Sequence, residues 1–221
     1  MDEEGCFVVG KLITFEGPDG AGKTSALMAV VPLLEAKCNQ DIIVTREPGG
    51  NPIAEKIRNV ILDVENTAMD DRTEALLYAA ARRQHIVEKI EPALADNKIV
   101  ICDRFVDSSI AYQGAGRGIG EEAVAQMNLF ATNGLVPDLT VYLDVPSEVG
   151  LQRIKQNRQD QYDRLDQEKL AFHQKVRQSY LQLAQDNPER IQTIDATADL
   201  DIVVAKCLQV IEQRYPDLFT A

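Results

Sequence analysis

The sequence predicts an α/β fold in which a mostly parallel sheet is layered between helices. Three observations carry that prediction: five short β-branched apolar runs, longer helical segments alternating with them, and a glycine-rich loop joining the first strand to the first helix. The first run, KLITFE at Lys11–Glu16, leads into glycines at 17, 20 and 22 and then into Ala21–Lys37, which is apolar at helical spacing. DIIVT at Asp41–Thr45 is the second strand, and Arg58 falls in a helix after the loop that follows it. Arg72–Asp96 is rich in Ala, Leu, Arg and Glu and reads as a helix interrupted at Pro92. KIVICD at Lys98–Asp103 is the third strand, Glu121–Asn133 a helix, and DLTVYLD at Asp138–Asp144 the fourth strand. These four runs are nearly continuous in apolar character, as strands buried on both faces should be. Helices over Glu148–Gln156 and Gln167–Asp186, a fifth strand at Ile191–Asp195 and a helix over Leu200–Arg214 complete the order.

The composition narrows the function classes. The chain has 221 residues, long enough to bury a core without staples, and reads as one domain over 1–221. With 35 acidic and 23 basic residues its formal charge is -12, which argues against broad binding to nucleic acid or anionic membrane. A local phosphate pocket is compatible with that average. Cys6, Cys38, Cys102 and Cys207 form no CxxC pair, so they read as small buried residues in a reducing compartment. No apolar stretch approaches the ~18 residues of a membrane helix, and the acidic start is unlike a secretory signal. A cytoplasmic location is expected.

Gly17–Thr24 reads GPDGAGKT and matches G-x-x-x-x-G-K-[ST] between a strand and a helix, the context this motif requires. Its glycines let backbone N–H groups wrap a phosphate, and the new helix presents its positive end to the same anion. Lys23 can reach the β- and γ-phosphates and the Thr24 hydroxyl can hold Mg²⁺. GAGRGIG at 114–120 fits no dinucleotide fingerprint and reads as a mobile turn after a helix.

No N-K-x-D guanine motif is present, and the arginines outside the loop point to phosphotransfer onto a small molecule. Acceptor residues are then expected where open sheets bind ligands, at the C-terminal ends of strands. There the chain carries Arg46-Glu47 and Asp103-Arg104. A carboxylate can serve the metal shell, and an adjacent arginine can clamp phosphate oxygens. Tyr78 with Arg82, and Ser109 with Gln113, are spaced i,i+4. Such pairs suit a planar base, and each pair alone equally suits a packed helix face. A kinase for another small acceptor, or a nucleotide-dependent switch, stays open on these residues.

FEGPDGAGKT (15–24), TREPGG (45–50), TEALLYAAARRQH (73–85), DRFVDSSIAYQGAGRG (103–118), DLTVYLDV (138–145) and DRLDQE (163–168) occur in this order. Together they resemble the thymidylate kinase family, from about Lys11 onward. The resemblance implies a three-layer P-loop NTPase fold with a five-stranded parallel sheet, flanking helices and a small lid at 152–166, after an N-terminal extension at 1–10. It implies phosphoryl transfer from ATP to dTMP with Mg²⁺, in a homodimer. Gly17, Pro18, Asp19, Gly20, Ala21, Gly22, Lys23 and Thr24 would hold ATP. Asp19 matches the acid at the sugar 3′-hydroxyl, and Arg58 and Arg104 match arginines on the acceptor phosphate. Tyr78 stands for the ring that stacks on thymine, a position often occupied by Phe. Arg82, Ser109 and Gln113 match base-reading residues, Glu47 an acid organising the acceptor, and Thr24 and Asp103 the Mg²⁺ shell. The Pro48 peptide bond is cis in relatives.

The loop interior carries no base, whereas the polar segment 152–166 holds Arg153, Arg158 and Arg164. This resembles family members that place arginine in the lid, typical of bacteria. Arg158 is the first choice to close on the transferring group, and Arg164 the second. The acceptor monoester has a second pKa of about 6 and is already a nucleophile, so no strong general base is needed. That suits a chain whose two histidines, His85 and His173, read as surface or structural. The basic motif residues, Arg117 included, are expected to converge on one cleft, with the acidic excess on outer helix faces.

Overall fold

The computed structural model describes residues 10–157 and 168–219. Five strands form one parallel sheet in the order β2-β3-β1-β4-β5: β1 (Lys11–Glu16), β2 (Ile42–Arg46), β3 (Ile99–Asp103), β4 (Leu139–Asp144) and β5 (Ile191–Asp195). Helices connect them: α1 (Lys23–Glu35), α2 (Pro52–Leu62), α3 (Asp71–His85), α4 (Glu91–Ala95), α5 (Val106–Ser109), α6 (Glu121–Thr132), α7 (Ser147–Asn157), α8 (Leu170–Asp186) and α9 (Leu200–Arg214). One core joins α1 and α9 to the sheet through Ile13, Phe15, Val30, Val141, Val204 and Ile211. A second joins Tyr142 and Ile191 to Tyr112, Phe172, Val176 and Tyr180, and a third joins Leu12 and Val100 to Ile86 and Ile90. The helices therefore cover both faces, and all three cores stand on the strands.

Strand register aligns the chemistry. Phe15 pairs with Asp103, which pairs with Arg46. The residues that follow, Glu16-Gly17, Arg104 and Glu47, thus leave the sheet side by side at its C-terminal end. Arg104 leaves in a left-handed conformation, φ 68°, while its N–H donates to Phe15 O at 2.9 Å.

Three expectations need correction. β2 is not buried on both faces: it is an edge strand, and Val44 is 44% exposed. A run of Ile and Val marks a strand without saying whether a neighbour lies beyond it. Pro92 does not break the helix; the chain widens into a π-helical stretch at Ile86–Ile90 and continues as α4, with Pro92 as its second residue. Gly114 and Gly116 are not in a mobile turn. They lie in a second π-helical stretch, Ile110–Gly116, and a Cβ on Gly116 would sit 2.6 Å from the Phe172 ring. Glycine there permits close packing against α8.

Candidate active site

The C-terminal ends of β1, β2 and β3 open into a cleft of about 850 Å³. One arm is built by the phosphate loop, α7 and the turn after β5, the other by α2, α3 and the 106–116 helix. In the first arm Lys23 is 7% exposed and its ammonium donates to Gly17 O at 2.8 Å and Pro18 O at 3.0 Å. The loop folds tightly: a Cβ on Gly20 would meet the Gly150 carbonyl at 2.1 Å. Burial, with the nearby Arg104 charge, pulls the Lys23 ammonium down to about 8. An incoming phosphate would supply the compensating charge. Beside it, the Thr24 hydroxyl donates to Asp103 Oδ2 at 3.5 Å, and Asp103 Oδ1 is buried without a hydrogen-bond partner. A hydroxyl next to an unsatisfied carboxylate oxygen is a donor set that suits Mg²⁺.

On the wall beyond the loop, the sequence singled out Arg153 but none of its apolar neighbours. Arg153 donates to Ala196 O at 2.9 Å, and with Ile154, Ala198, Leu200 and Val203 it lines the first arm. A guanidinium and apolar side chains on one wall suit a planar group. The only available signal was the small-residue stretch DATAD after the fifth strand, which is weak.

Arg104 stands where the arms meet. Its guanidinium donates to Asp19 Oδ1 at 2.5 Å, Gly17 O at 3.1 Å and Ser108 Oγ at 3.2 Å, and it lies 4.9 Å above the Tyr112 ring. Burial alone would raise the Asp19 carboxyl, but Arg104, Lys23 and the Tyr112 hydroxyl (2.8 Å) outweigh it and hold the group below the ordinary carboxylate range. Behind them Glu16, fully buried, accepts from the N–H of Phe105 at 2.7 Å and from the hydroxyls of Ser108 (2.6 Å) and Tyr180 (2.7 Å). Burial, then the neighbouring Asp107 charge, pushes that carboxyl up. Glu16 thereby ties the strand before the phosphate loop to the segment that carries Arg104.

In the second arm Arg58 donates to Pro48 O at 2.9 Å, after a cis Glu47–Pro48 bond as the resemblance implied. Arg82 is 2% exposed and donates Nε–H to Glu47 (2.7 Å), Nη1–H to Ser109 Oγ (3.0 Å) and to Asn128, and Nη2–H to Phe105 O (2.9 Å). Four of its five N–H groups are thus used, leaving one Nη2–H for the cleft it lines. Tyr78, one turn earlier on α3, lines the same arm, as do Ser109 and Gln113. Glu47 also accepts from His85 Nδ1 at 2.9 Å, and His85 Nε2 meets Thr45 Oγ1 at 2.7 Å. Both histidines are buried rather than at the surface. Glu47, His85 and Cys102 cluster within 4.8 Å, but the Arg82 guanidinium already occupies that carboxylate.

Of the basic residues expected in the cleft, Lys23, Arg46, Arg58, Arg82, Arg104 and Arg153 line it. Arg117 does not; it pairs with Glu74, Asp71 and Glu168. Arg158 and Arg164 lie outside the described residues, as do Cys6 and most of the lid. The acidic excess is not all on outer faces: Glu16, Glu47, Glu74 and Asp107 are buried against cations or hydroxyls.

Comparison with known proteins fits this geometry. The family model described as thymidylate kinase matches residues 15–207. A thymidylate kinase of Latilactobacillus sakei is 80% identical over 96% of this chain and 99% of its own length. The chain belongs to the thymidylate kinase family. Another relative in that family, from Lacticaseibacillus casei, is 62% identical over 96% of this chain and 100% of its own. The crystal structure of thymidylate kinase from Ehrlichia chaffeensis superposes with a TM-score of 0.73 at 33% identity, covering 92% of this chain and 99% of that one. The thymidylate kinase fold thus extends across both arms of the cleft. Among the described residues no helix is long and apolar enough to cross a membrane.

Proposed function

We propose that this chain transfers the γ-phosphoryl group of ATP to dTMP, giving ADP and dTDP for dTTP biosynthesis. One observation carries the choice of acceptor. The arm away from the phosphate loop ends in a leftover donor, Arg82 Nη2–H, and a leftover acceptor, Gln113 Oε1, beside the Tyr78 ring. A pyrimidine with adjacent carbonyl and N–H groups, as in thymine, complements that pair; cytosine presents the reverse. Arg104, where the arms meet, and Arg58 in the second arm suit the acceptor phosphate, and Asp19 suits the sugar hydroxyl. Arg153 and the Ala196–Leu200 turn suit the donor base.

The chemistry is positioning and charge neutralisation. Lys23 and the loop N–H groups hold the donor phosphates, Arg104 orients the attacking oxygen, and the buried walls exclude water. Thr24 and Asp103 would hold Mg²⁺, which when bound neutralises charge on the donor phosphates. The whole chain acts as one kinase domain in this reading, with 152–166 as its lid and 1–10 as an extension. ADP release measured with dTMP, dUMP, dCMP and AMP tests it. dTMP should be preferred; no acceleration by any monophosphate sinks the reading.

The lid arginine is separable from the acceptor site. Arg158→Ala should lower kcat on the order of 10³-fold or more with little change in dTMP affinity, while Arg164→Ala should do less. Equal turnover in Arg158→Ala and the unaltered protein refutes the assignment.

A cytoplasmic homodimer is part of the same proposal. The adjoining helices α2, α3 and α6 expose Ile53, Val60, Leu76, Leu129 and Phe130, the last 89% exposed. Burying one Phe contributes about 1.5–3 kcal/mol. Phe130→Asp should therefore weaken dimerisation at least ~10-fold in sedimentation; an unchanged dimer would move the interface elsewhere.

A further inference from the structure

Gln113 can read a base edge in only one sense if its amide is fixed, because its oxygen accepts and its nitrogen donates. The two ends have nearly the same shape, so the neighbours decide the orientation. Here the neighbour is Glu74, fully buried in the first turn of α3. It accepts from Gln113 Nε2 at 2.8 Å and from Arg117 at 3.1 and 3.3 Å. A carboxylate paired with a guanidinium has only lone pairs to offer. Turning the Gln113 amide over would set its oxygen against that carboxylate and break a buried, charge-assisted bond. Arg117 is itself held by Asp71 and Glu168 and lies 4.9 Å from the Phe172 ring, so Glu74 keeps its partner. Neither Glu74 nor Arg117 lines the cleft.

We infer that Glu74 is a specificity-determining positioning residue: by fixing the Gln113 amide with its oxygen toward the cleft, it makes the site accept a base edge that donates N–H and reject one that presents a lone pair. The inference rests on the dTMP reading above. It extends the determinants of base choice to a side chain that no substrate touches.

The test compares kcat/KM for dTMP and dCMP in the full-length protein and in Glu74→Gln. A glutamine at 74 offers either a donor or an acceptor, so Gln113 can adopt both orientations. The dTMP-to-dCMP ratio should fall on the order of tenfold to a hundredfold, mostly through dCMP gaining. The double exchange Glu74→Gln with Gln113→Glu places an acceptor-only group toward the cleft again and should recover most of the ratio. A Glu74→Gln protein in which both acceptors lose activity equally, ratio unchanged, overturns the inference and leaves the dTMP reading standing. No dTMP-dependent ADP release in the unaltered protein removes the dTMP reading and this inference with it. A measurement on the unaltered protein covers misfolding of the variants. The Gln113 side-chain NH₂ should exchange with solvent far more slowly than exposed glutamine amides by NMR, and exchange at their rate overturns the inference.

Discussion

Replacing Lys23 with methionine should lower kcat on the order of 10³ while leaving the protein folded. Methionine nearly matches the length of the side chain and removes the charge. In the free protein that ammonium is spent on two carbonyls of its own loop, Gly17 and Pro18. Its value appears when a phosphate replaces them. The acidity of the group supplies the sign. Burial and Arg104 pull it from 10.5 to about 8, so the fold disfavours its protonated form. Removing the charge should therefore not lower Tm. The same shift gives a pH dependence: above about pH 8 the free enzyme loses the proton, and kcat/KM for ATP should decline. Lys23→Met should lack that limb. Turnover within tenfold of the unaltered protein, read by ADP release, would remove Lys23 from the mechanism.

Arg104→Ala should cost on the order of 10²–10³ in kcat/KM for dTMP. The guanidinium is the one cation bonded to Asp19 among the described residues, so its loss removes the proposed phosphate clamp and leaves the half-buried Asp19 carboxylate with the Tyr112 hydroxyl but no ion pair. The backbone allows a control. At φ 68° any residue with a Cβ is strained, and glycine is not. Arg104→Gly should lose the same activity yet be more stable than Arg104→Ala by about 1 kcal/mol in urea unfolding. Retained dTMP saturation in both variants would show that the arginine serves the fold rather than the acceptor.

How much of this was legible in the sequence depends on the range of the interactions. The strands follow from β-branched runs, and the structure moves their ends by a residue at most. The phosphate loop was legible because its chemistry is local: glycines, a lysine and a threonine within eight positions do one job. The pairing of Tyr78 with Arg82 follows from helical spacing, and both line the cleft. What escaped is contact between distant segments. Nothing local in the sequence says that Asn128 takes an N–H of Arg82, that Thr45 closes a chain through His85 to Glu47, or that Glu74 faces Gln113. The edge position of β2 and both π-helical stretches escaped for the same reason, since neighbours decide them.

The row formed by Phe15, Asp103 and Arg46 has an implication for redesign. Neighbouring strands in any sheet lie about 4.8 Å apart. The loop proposed to cradle the donor and the segment proposed to clamp the acceptor start on adjacent strands, β1 and β3. Their separation is thus a property of main-chain pairing, and no surface substitution can retune it. The residues proposed to read the base, by contrast, hang from α3 and the 106–116 helix. Acceptor choice can therefore be re-engineered on those helices while the span that the phosphoryl group must cross stays fixed by the sheet.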